Sequence, residues 1–121
     1  INGLPGETEE QMAATAEKVA ALAPHCVKIH LLHILKGTPM AEEFAACPGD
    51  FAMMDRASYI RTTCDQLERL PPETVIQRLT GAARRDELIA PLWSLKKLTV
   101  LNDIDKELVR RNSWQGKLFT P

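Results

Sequence analysis

The chain has 121 residues, which is enough for one compact core. Its 15 Lys and Arg residues against 16 Asp and Glu residues give a net charge of -1, which excludes the overall basic surface of a dedicated nucleic-acid binder but leaves local basic patches open. No apolar run of about 18 residues and no secretory leader pattern occurs, so we predict a cytoplasmic protein without a membrane span.

The first helix has a clear start signal. Thr8 and Gln11 fit a capping box, in which each side chain bonds the backbone amide of the other residue. Apolar residues then recur at helical spacing until Pro24 ends the pattern. We predict a helix over residues 9–22, entered from a strand end and a glycine-rich turn at residues 1–6. Because the sequence opens within an element, we expect it to be a piece of a longer chain.

A nearly continuous apolar run covers residues 26–35. It is too short for a typical helix, so we predict a buried strand of the parallel type. Thr38 and Pro39 then supply a cap and a proline at the first helical position, which predicts a short helix over residues 40–46.

A second long helix is predicted from the cap at Asp55 to the stop at Pro71-Pro72. Its apolar stripe contains Ile60, Thr63, Cys64, Leu67 and Leu70. Residues 74–79 follow with β-branched side chains and end at Thr80-Gly81, which predicts another strand. Strands that alternate with helices indicate right-handed crossovers and a parallel sheet of about three strands, too few to close a barrel.

The remainder, residues 82–121, begins as a polar loop with several arginines and passes through an apolar segment at residues 88–95. It ends in a helix that we expect to pack on the outside of the sheet. The predicted stripe of that helix contains Leu98, Leu101, Ile104 and Leu108. Residues 115–121 are the segment that we expect to be least ordered.

Three cysteines, Cys26, Cys47 and Cys64, lie far apart in the sequence. Their spacing matches neither a disulfide framework nor a zinc or cluster site. We expect them to be buried or half-buried thiols in a reducing compartment.

The turn Gly3-Leu4-Pro5-Gly6-Glu7-Thr8 lies at a strand-to-helix junction. Glycines there let the backbone approach a ligand, and the helix N-terminus offers free amides. A tight turn that needs glycine only for its own backbone is the alternative. The turn resembles the Gly-Phe/Leu-Pro-Gly-Glu-Thr motif of radical S-adenosylmethionine (SAM) enzymes. Residues 28–41, which include Gly37-Thr38-Pro39, resemble the segment that follows the next barrel strand in that family.

Three downstream segments, residues 70–81, 88–95 and 112–116, are similar to an uncharacterised bacterial branch of the family related to the elongator-type tRNA-modifying enzymes. The resemblance extends over residues 1–119. It implies an α/β fold that is a fragment of a partial, TIM-like (β/α) barrel. Residues 1–81 would be the C-terminal part of the radical SAM barrel, and residues 82–121 an extension with a loop and a packing helix.

In that family a Cys-x3-Cys-x2-Cys loop holds a [4Fe-4S] cluster, which binds S-adenosylmethionine and cleaves it to a 5′-deoxyadenosyl radical. This sequence has no such loop. The resemblance therefore implies that the parent enzyme uses both cofactors and that this fragment is inactive alone, with no catalytic or metal-binding residue of its own. Its expected partners are the missing N-terminal half of the barrel, a second copy of itself, and RNA as one candidate substrate of the parent.

The resemblance also suggests site residues at the C-terminal ends of the strands. The candidate cofactor contacts are Asn2, Gly3, Gly6, Ile34 and Leu35. The candidate substrate contacts are His33, Arg78, Arg84 and Arg85.

Each of these site residues has a structural alternative. The arginines would suit an anionic substrate, or would pair with Asp86 and Glu87 on their own loop. His30 and His33 are expected on opposite faces of one strand, which excludes a shared metal ion. A non-enzymatic α/β interaction module remains the alternative function.

Overall fold

The computed structural model describes all 121 residues as four helices and four short strands. In chain order these are α1 (Glu9–Ala21), β1 (Cys26–Lys28), β2 (Ile34–Leu35), α2 (Pro39–Ala46), α3 (Arg56–Arg69), β3 (Val75–Arg78), β4 (Leu88–Ala90) and α4 (Lys97–Arg110). Short 3-10 turns cover Pro48–Asp50 and Leu92–Leu95. No helix combines the length and the apolar character that a membrane crossing requires.

The predicted helix starts are confirmed by their caps. The Thr8 hydroxyl accepts from the Gln11 amide at 3.2 Å, and the Gln11 side chain accepts from the Thr8 amide at 2.8 Å, which completes the capping box. Thr38 caps α2, and Asp55 caps α3 by accepting from the backbone amide of Ser58 at 2.7 Å. Side-chain oxygens thus satisfy amides that have no partner within the helix.

The predicted parallel pairing is found in one of two small sheets. Strand β1 pairs in parallel with β3, with Val27 opposite Ile76. Asn2 forms a parallel bridge with Leu31, so the first residues lie on the other side of the segment that continues β1. The spatial order is therefore the first segment, β1 and β3. The larger TIM-like barrel stays a prediction.

The prediction of a single strand over residues 26–35 is wrong. The segment splits into β1 and β2, because β2 changes partner and pairs antiparallel with β4. Ile34 lies opposite Ala90, and Leu35 lies opposite Leu88. The apolar pattern of residues 88–95 does not by itself predict a strand, so this second, two-stranded sheet is not expected from the sequence.

Helix α3 is at the centre of the core. It contacts α1 on one side and α4 on the other, and eight of its residues are buried. Tyr59 and Cys64 are fully inaccessible and join the cluster that contains Ile29 and Leu31 of the β1 segment. Alternate residues of β1 face this cluster, which leaves Cys26 and Lys28 exposed on the opposite face.

The expectation that α4 packs directly on the outside of the sheet is wrong. The helix packs against α3, with Val100 and Ile104 fully buried. Leu98, a member of the predicted stripe, is 76% exposed. The physical reason is that α3 has buried residues on more than one face, so it packs against α4 as well as against α1.

The C-terminal residues are also more ordered than the sequence suggested. The Gly116 amide donates to the Leu67 carbonyl at 3.0 Å, and the Leu118 amide donates to the Glu68 carbonyl at 2.8 Å. The Gln115 side chain donates to the carbonyl of Pro71 at 2.8 Å. These bonds tie the C-terminal segment to carbonyls at and just beyond the end of α3, where helix carbonyls lack their full set of intrahelical partners.

The cysteines differ from one another in exposure. Cys64 is buried, as expected, but Cys26 and Cys47 are exposed. Cys26 is exposed because it lies on the uncovered face of β1, and Cys47 because α2 buries none of its residues.

Candidate functional site

The parallel segments end at one edge of the fold. The Asn2 amide donates to the His30 carbonyl at 2.7 Å, and the Leu32 amide donates to the Asn2 carbonyl at 2.8 Å. On the other side, the Ile29 amide donates to the Arg78 carbonyl at 2.8 Å. The turn at Gly3 is therefore next to the end of the β1 segment, as expected from the C-terminal ends of parallel strands.

The edge contains two histidine rings in contact. The ring centroids of His30 and His33 lie 5.3 Å apart, with an edge-to-face angle of 72°. The prediction that they occupy opposite faces of one strand is wrong, because the chain leaves strand geometry between Lys28 and Ile34. Both rings approach Gly81 closely. A Cβ added at Gly81 would lie 2.5 Å from the Cε1 atom of each ring.

His33 is held by Ser94, which is not among the residues that the sequence predicts for the site. Its Nε2 lies 3.1 Å from the hydroxyl of Ser94, which also donates to the Pro91 carbonyl at 2.8 Å. Burial, and then the neighbouring His30, lower the pKa of His33 below its usual 6.5. Ser94 follows β4, and no local pattern in the sequence indicates its contact with His33.

Two aromatic side chains, Tyr59 and Trp93, form hydrogen bonds to backbone carbonyls near this edge. The buried Tyr59 hydroxyl donates to the Leu79 carbonyl at 2.6 Å, and burial raises the pKa of Tyr59 to about 12. Trp93 packs against Tyr59 and donates to the Met54 carbonyl at 3.0 Å. The Met54 side chain covers Gly3, whose positive φ of 86° favours glycine. These contacts link the Gly3 turn, Met54 and the Leu79 backbone through Trp93 and Tyr59.

The candidate cofactor contacts do not form one wall of side chains. The Asn2 side chain is buried against Gln66, and the Ile34 side chain is fully buried. Gly6 is exposed, with a positive φ of 79° and nothing within 4 Å of an added Cβ. Gly3 is buried in the turn after Asn2, and Leu35 is half-buried in β2, opposite Leu88. The side chains of Asn2 and Ile34 are thus used within the fold. All five cofactor contacts stay predictions.

The candidate arginines are not equivalent. Arg84 is exposed and paired with Asp86 at 2.9 Å and with Glu87 at 3.6 Å, which is the loop pairing given as the alternative. Arg78 and Arg85 form no ion pair. Arg78 is the register partner of Lys28 in β1 and β3, next to an irregularity between Val27 and Lys28.

No group of three His, Cys, Asp or Glu side chains is placed to hold a metal ion. The three cysteines lie apart, one buried and two exposed. The residues of this chain therefore do not fit the ligand set of an iron-sulfur cluster.

Comparison with known proteins places the chain in a family. The model of the Radical_SAM C-terminal domain matches residues 24–110, which include the histidine pair, Gly81 and Ser94. The chain belongs to the Radical_SAM C-terminal domain family. The resemblance to radical SAM proteins is thereby confirmed at the level of the superfamily.

Relatives occur in bacteria and archaea. The chain is 45% identical to the uncharacterized protein YtqA of Bacillus subtilis over 98% of its own length and 36% of that protein. It is 35% identical to the uncharacterized protein MJ0486 of Methanocaldococcus jannaschii over 98% of its length and 37% of that protein. It is 34% identical to the protein YhcC of Escherichia coli K12 over 89% of its length and 34% of that protein. The chain thus spans about a third of the relatives that it matches.

Proposed function

We propose that this chain forms the C-terminal part of the catalytic core of a radical SAM enzyme. The observation that carries the proposal is the meeting of the Gly3 turn, the His30 to His33 segment and the Thr80-Gly81 end at one edge of the fold. Ligands of parallel α/β folds bind at this edge. Membership of the Radical_SAM C-terminal domain family supports the proposal.

In this proposal the cluster is bound by residues outside the chain, because the chain lacks a suitable ligand set. Bound S-adenosylmethionine and a [4Fe-4S] cluster would supply the 5′-deoxyadenosyl radical that abstracts hydrogen from the substrate. The chain itself would line the pocket, through the backbone at Gly3 and through the histidine rings. It would have no activity without the rest of the barrel.

The basic residues support an anionic substrate. Lys28 and Arg78 are register partners in β1 and β3, so two cations lie on neighbouring strands. Arg85 is a further exposed cation without a carboxylate partner. An RNA phosphate is an anion of this kind. An RNA substrate would also agree with the proposed relation to the elongator-type tRNA-modifying branch.

The test uses the full-length protein, purified without oxygen and supplied with iron, sulfide, S-adenosylmethionine and dithionite. Mass spectrometry should detect 5′-deoxyadenosine, and the 121-residue chain under the same conditions should produce none. If a full-length protein that carries its cluster releases no 5′-deoxyadenosine, the proposed function is wrong.

A cysteine variant tests where the cluster is bound. We expect the full-length protein with Cys26→Ser, Cys47→Ser and Cys64→Ala to keep its iron content and to form 5′-deoxyadenosine. Circular dichroism would confirm that the variant is folded. Loss of iron from a folded variant would contradict the location of the cluster ligands outside this chain.

A further inference from the structure

The short turn at Leu92–Leu95 holds two other segments of the chain through consecutive side chains. The Trp93 indole N–H donates to the Met54 carbonyl at 3.0 Å, across 39 residues of sequence. The Ser94 hydroxyl lies 3.1 Å from Nε2 of His33, across 61 residues. One turn is therefore bonded both to the segment that leads into α3 and to the segment that leads into β2.

The Met54 side chain links Trp93 to the Gly3 turn. A Cβ added at Gly3 would lie 3.2 Å from the Met54 Cγ atom and 3.4 Å from its sulfur atom, so the thioether lies against the glycine. Gly3 is buried and follows Asn2, which forms the parallel bridge with Leu31. The indole N–H of Trp93 thus fixes the backbone of the residue that covers the Gly3 turn.

The indole ring of Trp93 links the same turn to the end of β3. The ring centroids of Trp93 and Tyr59 lie 5.5 Å apart, with a tilt of 43° between the rings. Tyr59 is fully buried, and its hydroxyl donates to the Leu79 carbonyl at 2.6 Å. Leu79 directly follows β3 and lies two residues before Gly81. The Trp93 ring thus reaches the end of β3 through a single intervening side chain.

We propose that Trp93 is a positioning residue of the cofactor pocket, which holds the Gly3 turn in the conformation that binds S-adenosylmethionine. Side chains behind a binding turn must hold its backbone closely, because the apparent affinity falls with the fraction of molecules in the binding conformation. Trp93 does this by bonding Met54 while its ring packs on the buried Tyr59. The identity of the ligand rests on the proposed function, whereas the contacts rest only on this chain.

A role of Trp93 in packing alone has a different consequence. A side chain that only fills space contributes to the stability of the fold, so its truncation lowers the fraction of folded protein. The affinity of each folded molecule then stays the same. Loss of a positioning residue lowers the affinity of the folded protein itself. The dissociation constant, measured on folded protein, therefore separates the two roles.

The first experiment measures the dissociation constant of S-adenosylmethionine by calorimetry, in the full-length protein with its cluster and without oxygen. Trp93→Phe removes the indole N–H and should raise this constant about fivefold, the equivalent of one hydrogen bond. Trp114→Phe is the matched control, because Trp114 is 57% exposed and its ring contacts Lys117. This control should bind as tightly as the unchanged protein. An unchanged constant in folded Trp93→Phe would overturn the proposal.

A second control separates affinity from stability. Val100 is fully buried in the core cluster, so Val100→Ala should lower the stability of the fold. The folded part of this variant should bind S-adenosylmethionine with the original dissociation constant. Equal weakening of binding in Val100→Ala and Trp93→Phe would overturn the positioning role.

An isosteric analogue covers the case in which Trp93→Phe folds poorly. 3-Benzothienylalanine at position 93 keeps the shape of the tryptophan ring and has a sulfur atom in place of the N–H. It should weaken binding as Trp93→Phe does, because it removes the same bond to the Met54 carbonyl. Binding as tight as that of the unchanged protein would overturn the proposal.

The second experiment follows the Gly3 turn before S-adenosylmethionine is added. Hydrogen exchange of the full-length protein is measured by mass spectrometry, with peptides that contain Leu32 or Met12. The Leu32 amide donates to the Asn2 carbonyl next to Gly3, so Trp93→Phe should speed its exchange about fivefold. The Met12 amide, bonded within the first turn of α1, is the reference and should change less. Equal acceleration at both amides would indicate general destabilisation and would overturn the proposal.

The failure of this inference can be told apart from the failure of the proposed function. A full-length protein that carries its cluster and binds no S-adenosylmethionine would contradict both. Binding that is equally tight in the unchanged protein and in Trp93→Phe would overturn the positioning role alone.

Discussion

Asn2 and Gln66 exchange two hydrogen bonds between the first chain segment and α3. Asn2 donates to Gln66 at 2.8 Å, and Gln66 donates back at 2.7 Å. Both side chains are buried, and Gln66 also donates to the Met12 carbonyl of α1 at 3.0 Å. This amide pair fixes the segment that leads into the Gly3 turn.

Replacing Asn2 should therefore destabilise the whole fold. Asn2→Ala leaves the Gln66 carbonyl oxygen buried without a donor, which should lower the free energy of unfolding by about 1–3 kcal/mol. Urea unfolding followed by circular dichroism measures this change. The exposed Asn102→Ala on α4 is the control and should change stability by less than about 0.5 kcal/mol. Equal unfolding midpoints for the two variants would contradict a stabilising role of the pair.

Arg111 should contribute strongly to the packing of α4 on α3. Its guanidinium lies 2.7 Å from both Asp65 and Glu68, and Glu68 is 8% exposed. Arg111→Met leaves these carboxylates without their cation and should cost about 3 kcal/mol of stability. The matched variant Arg85→Met removes an exposed cation without an ion pair and should be nearly neutral in the same urea titration.

Acid should lower the stability that the ion pairs of Glu107 with Arg110 and Arg111 contribute to the fold. Hydrogen bonding to Arg110, and further to Arg111, lowers the pKa of Glu107 to about 2 against the opposing effect of partial burial. Because the pKa of the folded state is below the unfolded value of 4.5, the stabilisation is complete above about pH 4.5 and is lost as the pH falls toward 2. Melting temperatures between pH 6 and pH 2 should fall less steeply in Glu107→Gln. Parallel curves for the two proteins would contradict this assignment.

Gly81 should not tolerate a side chain. A Cβ there would lie 2.5 Å from a carbon of both His30 and His33, so Gly81→Ala must displace the rings and should cost about 1–3 kcal/mol. Gly49→Ala is the control, because nothing lies within 4 Å of its added Cβ. The spectra of the two histidine rings should change in the first variant and stay constant in the second.

The uncovered face of β1 and β3 should cause self-association. Val75 is 59% exposed, and the far edge of β3 has no strand partner. Sedimentation velocity under reducing conditions should show a coefficient that rises with concentration. Val75→Lys should abolish the rise, whereas Val109→Lys on α4, where Val109 is 78% exposed, should not. A single monomeric species at all concentrations would contradict the prediction.

Much of the local structure followed from short-range patterns. The capping box of Thr8 and Gln11, the Thr38-Pro39 start and the Asp55 cap gave three helices, because a helix end is decided by bonds over three or four residues. The alternation of helices and strands also predicted the parallel pairing of β1 and β3. The glycine turn lies at the edge where the parallel segments end, and its role as a ligand site stays a prediction from the family resemblance.

The tertiary structure alone decided which residues meet at the candidate site. The segment after Lys28 pairs in turn with the first chain segment and with β4, and this change of partner breaks the predicted strand and brings His30 against His33. Ser94 reaches His33 from 61 residues away. The sequence by itself determined the elements, because their ends depend on neighbouring residues. It did not determine the histidine site, because hydrogen bonds between distant segments choose their partners only when the chain packs.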